Sequence, residues 1–326
     1  MKYRRLGNTD IEVSEVGFGV WTVSTGWWGE VDDERSVHLL RQAYERGINY
    51  FDTADTYGSG KGETLLYDAF GHMRDEVVIS TKIGYDFYNH TQRRGQQERP
   101  QDWSEKFIRF ALEQSLKRLG TDYIDFLQLH NAKMNAIEND ALFSLMEEFE
   151  SEGKIRAYGV ALGPKIGWLK EGVKAMRTRN LDGLQMIYNI LEQDPGRGLI
   201  EVARKTDMSL LVRVPHSSGM LEGKYTKDTT FARNDHRRHR PKEWLLDGLK
   251  KVEQLDFLTA GRTLGQVALK FVLASPEIAS TLPNIYDEEQ LEEFASAPDT
   301  PDLTEEELAR IEELYESNFG LELARR

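Results

Sequence analysis

Residues 48–57, Ile48-Asn49-Tyr50-Phe51-Asp52-Thr53-Ala54-Asp55-Thr56-Tyr57, join an apolar run to a carboxylate and, five residues on, a phenol. Residues 48–51 read as a short buried strand, so Asp52 stands at a strand end with Tyr57 just beyond it. A phenol has an unperturbed pKa of about 10 and gives up a proton near neutrality only with help from a cation. Lys82 supplies that cation at the end of the next strand-like run, Val77-Val78-Ile79-Ser80-Thr81-Lys82. His130 closes the following one, Ile124-Asp125-Phe126-Leu127-Gln128-Leu129-His130.

Strand-like and helical patterns alternate over the rest of the chain. Strands are expected at 15–19, 48–52, 77–81, 124–129, 155–160, 183–187, 209–214 and 278–282. Helices are expected at 34–46, 62–70, 104–119, 138–152, 165–177, 197–206, 242–257, 263–274, 288–295 and 304–317. Asp32 supplies a cap for the first of these, Thr304 with Glu307 fits a capping box, and Gly47, Gly120 and Gly153 sit where helices stop. Residues 3–14 alternate around Gly7-Asn8-Thr9-Asp10 and predict a β-hairpin ahead of the first strand. Residues 222–241 show no periodicity and read as a long loop after the seventh strand.

Eight strands separated by helices predict a parallel sheet covered on both faces. A doubly wound open sheet usually carries a G-x-G-x-x-G turn after its first strand, and none occurs here. The expectation is therefore an α/β fold, a (β/α)8 TIM barrel with an N-terminal β-hairpin and extra C-terminal helices. One such domain accommodates all 326 residues. The net charge of -13 argues against a general nucleic-acid or anionic-membrane surface. With no cysteine, disulfides, thiolate catalysis and cysteine metal sites are excluded, and no metal site is expected. No apolar stretch is long enough to span a bilayer, and the default is a soluble cytoplasmic protein. Oligomeric state is not legible.

Asp52, Tyr57, Lys82 and His130, in that order and each at or just past a strand end, resemble the catalytic tetrad of the aldo-keto reductases. The resemblance extends over nearly the whole chain. It includes Gly17-Phe18-Gly19-Val20-Trp21, Gly47 through Ala54, Ser115-Leu116-Lys117-Arg118-Leu119 and Asp122-Tyr123-Ile124-Asp125. Gln185 with Tyr188-Asn189 and Gly219-Met220-Leu221-Glu222-Gly223-Lys224-Tyr225 follow. It implies NAD(P)H-dependent reduction of an aldehyde or ketone to an alcohol, or the reverse. Tyr57 would donate the proton, Lys82 would stabilise the phenolate, Asp52 would keep Lys82 ionised, and His130 would orient the carbonyl. The partner expected is a small-molecule carbonyl or alcohol.

The resemblance also nominates a cofactor site for NADPH or NADH. It draws on Gly19, Val20 and Trp21, on Gln185 for the nicotinamide carboxamide, and on Ser217, Gly219, Leu221, Gly223 and Lys224 for the pyrophosphate. Arg237, within the cationic run Asp235 through Pro241, and Asn284, Tyr286 and Gln290 fall at the adenosine end. Five positions depart from the family pattern. Ala161-Leu162 replace the usual Ser-Asn that holds the carboxamide. Arg213 replaces the aromatic that stacks on the nicotinamide, where its charge disfavours the oxidised ring. Tyr286 stands where a base meets the 2′-phosphate, and Phe294 where an asparagine meets adenine. Altered contacts through Arg237, Arg238 or Arg213, together with a shift from NADPH toward NADH, are the reading taken here. Loss of dinucleotide binding is the other.

Trp27, Trp28, Tyr85 and Phe87 lie on strand-end loops and predict a pocket for an apolar or flat substrate face. Arg238 and Arg240 equally suit an anionic substrate. Two alternatives stay open: a cofactor- or ligand-sensing barrel with a retained tetrad, and a lyase or isomerase using Lys82 as a Schiff-base amine.

Overall fold

The computed structural model describes residues 1–29, 31–91, 98–164 and 168–322. Eight parallel strands form one sheet in chain order: β1 Phe18–Gly19, β2 Tyr50–Asp52, β3 Val78–Ile83, β4 Phe126–His130, β5 Tyr158–Ala161, β6 Gly183–Ile187, β7 Ser209–Arg213 and β8 Ile278–Leu282. Val16 bridges to Thr281 in parallel, with Gly17 N–H donating to the Thr281 carbonyl and Thr281 N–H to the Glu15 carbonyl, both at 2.9 Å. The sheet thus closes on itself. The (β/α)8 expectation is met, and the hairpin Tyr3–Arg5/Glu12–Ser14 precedes the barrel.

The period-2 alternation of the strands explains both the core and the site. Phe51, Ile79 and Leu127 point outward and join the large apolar layer shared with the helices. Tyr50, Val78 and Phe126 point inward and pack with Leu6, Ile11 and Val13 of the hairpin, which plugs the floor of the barrel. Two residues further along the same inward rows stand Asp52, Ser80 and Gln128, and two beyond the last pair stand Lys82 and His130. The interior therefore changes from apolar at the floor to polar at the mouth. Gly159 makes room for this floor: a Cβ there would lie 2.5 Å from the Phe126 ring and 2.1 Å from the Gly183 carbonyl oxygen.

Helices cover the outside, and their ends follow local chemistry. The Asp32 side chain accepts from Arg35 N–H ahead of helix Asp33–Glu45. The Thr304–Glu307 capping box starts Glu305–Glu316, and a second box, Thr263–Gln266, starts Leu264–Leu273. The helix expected at 242–257 divides into α-helix Lys242–Val252 and a 3-10 segment Glu253–Leu258. Short helices at Trp21–Ser24 and Met134–Ile137 add to the expected set. The first three residues of the helix expected at 165–177 lie outside the described residues, and the described helix is Leu169–Thr178. No described helix is long and apolar enough to cross a membrane, and no cluster of metal-ligating side chains occurs among the described residues.

Candidate active site

Asp52, Lys82 and His130 meet at the barrel mouth because their strands place them there. Lys82 Nζ donates to Asp52 Oδ1 at 2.5 Å and to the Thr53 carbonyl at 2.7 Å, and both members of the ion pair are buried. The other carboxylate oxygen, Asp52 Oδ2, accepts from Ser80 Oγ at 3.2 Å, Gln128 Nε2 at 3.0 Å and Gln185 Nε2 at 2.9 Å. Four side-chain donors from three other strands thus hold one carboxylate, the arrangement that makes a buried charge tolerable.

Tyr57 reaches the same mouth from a 3-10 turn, Tyr57–Gly60, just past β2. Its turn runs through left-handed Gly58 (φ 57°), where a Cβ would stand 2.4 Å from the Ser24 carbonyl oxygen. Lys82 Nζ lies 5.3 Å from the centroid of the Tyr57 ring. The His130 ring meets Tyr57 edge-on at 5.8 Å and Tyr85 edge-on at 4.9 Å.

The two phenols beside His130 differ. The Tyr85 hydroxyl donates to Glu98 and accepts from Asn131 Nδ2 at 2.8 Å, and burial with the Glu98 bond pushes its pKa up, so it stays protonated. Tyr57 is half-buried, and among the described residues its hydroxyl has no protein partner. Burial, then the charges of Lys82 and Arg213, hold the His130 imidazole well below its usual pKa. The ring is neutral, and its Nδ1 is buried without a hydrogen-bond partner.

Behind Tyr57 lies a second buried charge cluster. Glu63 accepts from Thr81 Oγ1 and from Arg118 Nε, each at 2.6 Å, and Arg118 continues to the Tyr88 hydroxyl at 3.0 Å. Asp55 is fully buried beside them with neither carboxylate oxygen hydrogen-bonded. Its backbone N–H donates to the Lys82 carbonyl at 3.0 Å, tying the cluster to that lysine. Phe87 faces this side, 4.0 Å from the Tyr88 ring and 5.9 Å from Arg118.

On the other side of the mouth the loop after β7 carries an unusual backbone. Val214 (φ 60°), Ser217 (47°), Ser218 (59°), Gly219 (90°) and Gly223 (70°) are all left-handed. A β-branched residue there is strained. Asn189 Nδ2 donates to the Val214 carbonyl at 3.1 Å. The backbone amides of Ser218 and Gly219 donate to no protein acceptor among the described residues. Free amides on such a run form a cradle for anions.

The remaining nominated residues are placed as follows. Gly19 pairs in register with Asp52, Val20 and Leu221 are buried, and Trp21 packs edge-on against Trp27, Trp28 and His236. Ser217 Oγ donates to Glu192 at 3.1 Å, and Lys224 stands 3.6 Å from Glu289. Gln290 donates to Glu222 Oε2 at 2.9 Å and accepts from Tyr286 N–H at 3.2 Å, while Asn284 is half-buried at the same end. Arg237 is held by Asp235 through Nη2 at 2.6 Å and by the Tyr225 hydroxyl at 2.7 Å, 4.0 Å above the Trp28 ring. Phe294 is fully buried and stacked on His216 at 4.4 Å. It therefore belongs to the core.

Several members of the site were not singled out from sequence. Ser80 and Gln128 had a signal, since each precedes a nominated residue by two and shares its inward row. Glu63, Asp55 and Glu222 had none, because only tertiary packing buries them.

The chain belongs to the aldo/keto reductase family, whose model matches residues 15–316. It is an NAD(P)-dependent oxidoreductase of that family. It is 30% identical to the oxidoreductase YqkF of Bacillus subtilis over 96% of both chains. It is 32% identical to the aldo-keto reductase YhdN of the same organism over 85% of this chain and 82% of that one. Among solved structures it matches the holo form of aldo-keto reductase AKR11C1 from Bacillus halodurans with a TM-score of 0.78 at 28% identity, covering 96% of each chain.

Proposed function

We propose that this site reduces an aldehyde or ketone to the alcohol, or runs the reverse, with Tyr57 as the proton donor. One observation carries the reading. At the mouth a buried lysine is clamped by Asp52 and lies 5.3 Å from the ring of Tyr57, whose hydroxyl has no protein partner among the described residues, beside a neutral imidazole. NAD(P)H, when bound, supplies the hydride. His130, neutral and with no protein partner on Nε2 among the described residues, donates a hydrogen bond from that nitrogen to the carbonyl oxygen and orients it. Tyr57 passes its proton to that oxygen, and the Lys82 ammonium stabilises the phenolate left behind. Asp52 fixes Lys82, while Ser80, Gln128 and Gln185 fix Asp52.

The same clamp disfavours Lys82 as a Schiff-base amine. An ammonium bonded to a carboxylate and a carbonyl has no lone pair to attack with.

The residues fit a dinucleotide. The free amides of Ser218 and Gly219, with Lys224 at the rim, suit the pyrophosphate. Gln185 and Arg213 border the nicotinamide end. At the adenosine end Tyr286 offers no charge for a 2′-phosphate, and the buried Glu222 carboxyl, pushed up to about 7 chiefly by burial, stands beside Gln290 with Oε1 unpartnered. With Arg237 held by Asp235 and Tyr225 and Lys224 beside Glu289, the bases within reach of this acid are already paired, which supports NADH over NADPH. Titration of each nucleotide, followed by its fluorescence, combined with a panel of aldehydes and ketones, tests the reading. Tight binding with no turnover of any carbonyl would favour a sensor instead.

A further inference from the structure

The tautomer and orientation of an imidazole are normally set by the hydrogen bond its second nitrogen makes. His130 has none, because Nδ1 is buried without a partner. Hydrogen bonds therefore leave the neutral ring able to turn and to carry its proton on either nitrogen, yet the chemistry needs an Nε2–H aimed at the carbonyl. Packing has to hold the ring instead. Among the described residues two aromatic rings flank it, Tyr57 edge-on at 5.8 Å and Tyr85 edge-on at 4.9 Å.

Of these two, Tyr85 is the one tied down. It is buried, its hydroxyl donates to Glu98 Oε1 and accepts from Asn131 Nδ2 at 2.8 Å, and Glu98 Oε2 accepts from Lys133 Nζ at 2.8 Å. The one hydroxyl proton of Tyr85 is spent on Glu98, so none is left for a substrate oxygen. The backbone around it is held as well. Segments 84–86 and 100–102 pair antiparallel, Asp102 N–H donating to the Gly84 carbonyl and Asp86 N–H to the Pro100 carbonyl, both at 2.9 Å, with Tyr85 opposite Gln101. From this pair Gln101 Nε2 donates to the carbonyls of His130 at 2.9 Å and Asn131 at 3.0 Å. Asn131 itself is left-handed (φ 52°), a conformation that asparagine tolerates. One small unit thus fixes both the chain that follows His130 and the ring that packs on it.

We propose that Tyr85 is a positioning residue for carbonyl reduction: its ring, tied through its hydroxyl to Glu98 and Asn131, keeps the His130 imidazole from turning, so that Nε2 faces the reacting oxygen. The proposal rests on the carbonyl-reductase reading of the same site. It gives Tyr85 a role other than the pocket lining expected from sequence.

The test uses Tyr85→Leu, which removes the ring, Tyr85→Phe, which removes only the tie, His130→Gln, and Tyr85→Leu combined with His130→Gln. Single-turnover and steady-state rates are taken with an aldehyde that wild type reduces. Tyr85→Leu is expected to lower kcat by about tenfold to a hundredfold, the cost of a misaimed group, with KM and NADH affinity within about threefold of wild type. Tyr85→Phe falls between, by about threefold to tenfold. In the His130→Gln background Tyr85→Leu costs nothing further, because the residue it positions is gone. Nitrogen NMR of histidine-labelled protein, with the His130 signals identified by their loss in His130→Gln, reads the same effect without turnover. Wild type shows one tautomer, protonated on Nε2, and Tyr85→Leu shows a mixture. A higher KM at unchanged kcat overturns the proposal and puts Tyr85 against the substrate. An equal loss with and without His130, or an unchanged tautomer in Tyr85→Leu, also overturns it, and each of these leaves carbonyl reduction standing. Should Tyr85→Leu fail to fold, Tyr85→Phe decides, and wild-type kcat in that variant overturns the proposal. No turnover of any carbonyl by wild type brings down the underlying reading and this proposal with it.

Discussion

Lys82 Nζ lies 2.5 Å from Asp52 and 2.7 Å from the Thr53 carbonyl, with the Tyr57 ring 5.3 Å away. A cation is thus held at a fixed point near the phenol by a carboxylate on the neighbouring strand. The two halves of the pair are unequal in what their loss leaves behind.

Asp52→Asn strands a buried ammonium with no anion, which costs about 3–5 kcal/mol of stability. Lys82→Met leaves Asp52 with three donors, from Ser80, Gln128 and Gln185, and costs less. Both variants lose about a hundredfold to a thousandfold in kcat, while nucleotide affinity changes little. Thermal unfolding and steady-state kinetics on the two variants check the ranking. Equal stability in both would contradict it.

Gln128 gives a milder case. It touches Asp52 Oδ2 at 3.0 Å and Ser80 Oγ at 2.7 Å but neither Lys82 nor Tyr57. Gln128→Leu removes one of the donors on Asp52 and lowers kcat by about tenfold, with KM for the carbonyl unchanged. A rise in KM at constant kcat would instead place Gln128 against the substrate.

Asp55 is a liability in the folded state. Burial, then Glu63, raise its carboxyl well above the usual range. The folded protein therefore keeps the proton at a pH where the unfolded chain, at about 3.9, has lost it. Stability falls as pH rises above that value. Asp55→Asn removes the penalty and raises stability at pH 7 by about 1–3 kcal/mol, with little change near pH 3.5. Denaturant midpoints at the two pH values measure it.

Glu222 combines stability with specificity. Its folded pKa of about 7 lies above the unfolded value, so its penalty appears as pH rises through about 4.3 to 7 and is complete above 7. Glu222→Gln is therefore stabilising at pH 8, by at most about 4 kcal/mol, and neutral near pH 4. In the proposed cofactor site the same change is expected to strengthen NADPH relative to NADH at pH 8, because it removes a carboxylate from the end where the 2′-phosphate would lie. Binding of adenosine 2′,5′-bisphosphate against AMP, followed by calorimetry, reads the effect without turnover.

Much of this was legible along the chain. The strand expected at 183–187 was met to the residue, and that at 278–282 likewise, because short apolar runs between turn residues have few other fates. The tetrad was legible because each member sits at or near a strand end. Tyr57's exact placement was not, since it depends on a left-handed turn packed against Ser24. Nor was the fate of Arg237, whose phosphate-ready guanidinium is taken up by Asp235, Tyr225 and Trp28. Those partners come from distant or aperiodic segments, and only the folded chain brings them together. Arg213 was visible as an oddity, but its hydrogen bond from Nη2 to the Leu162 carbonyl at 3.1 Å was not.

The most direct test of the account is a single turnover of Tyr57→Phe with nucleotide already bound. A carbonyl substrate is mixed with the loaded variant, and oxidation of the nicotinamide is followed by its absorbance. The account predicts unchanged nucleotide affinity and a hydride-transfer rate lowered by at least about a hundredfold, because no proton meets the developing alkoxide. A rate equal to wild type would contradict it and remove Tyr57 from the chemistry.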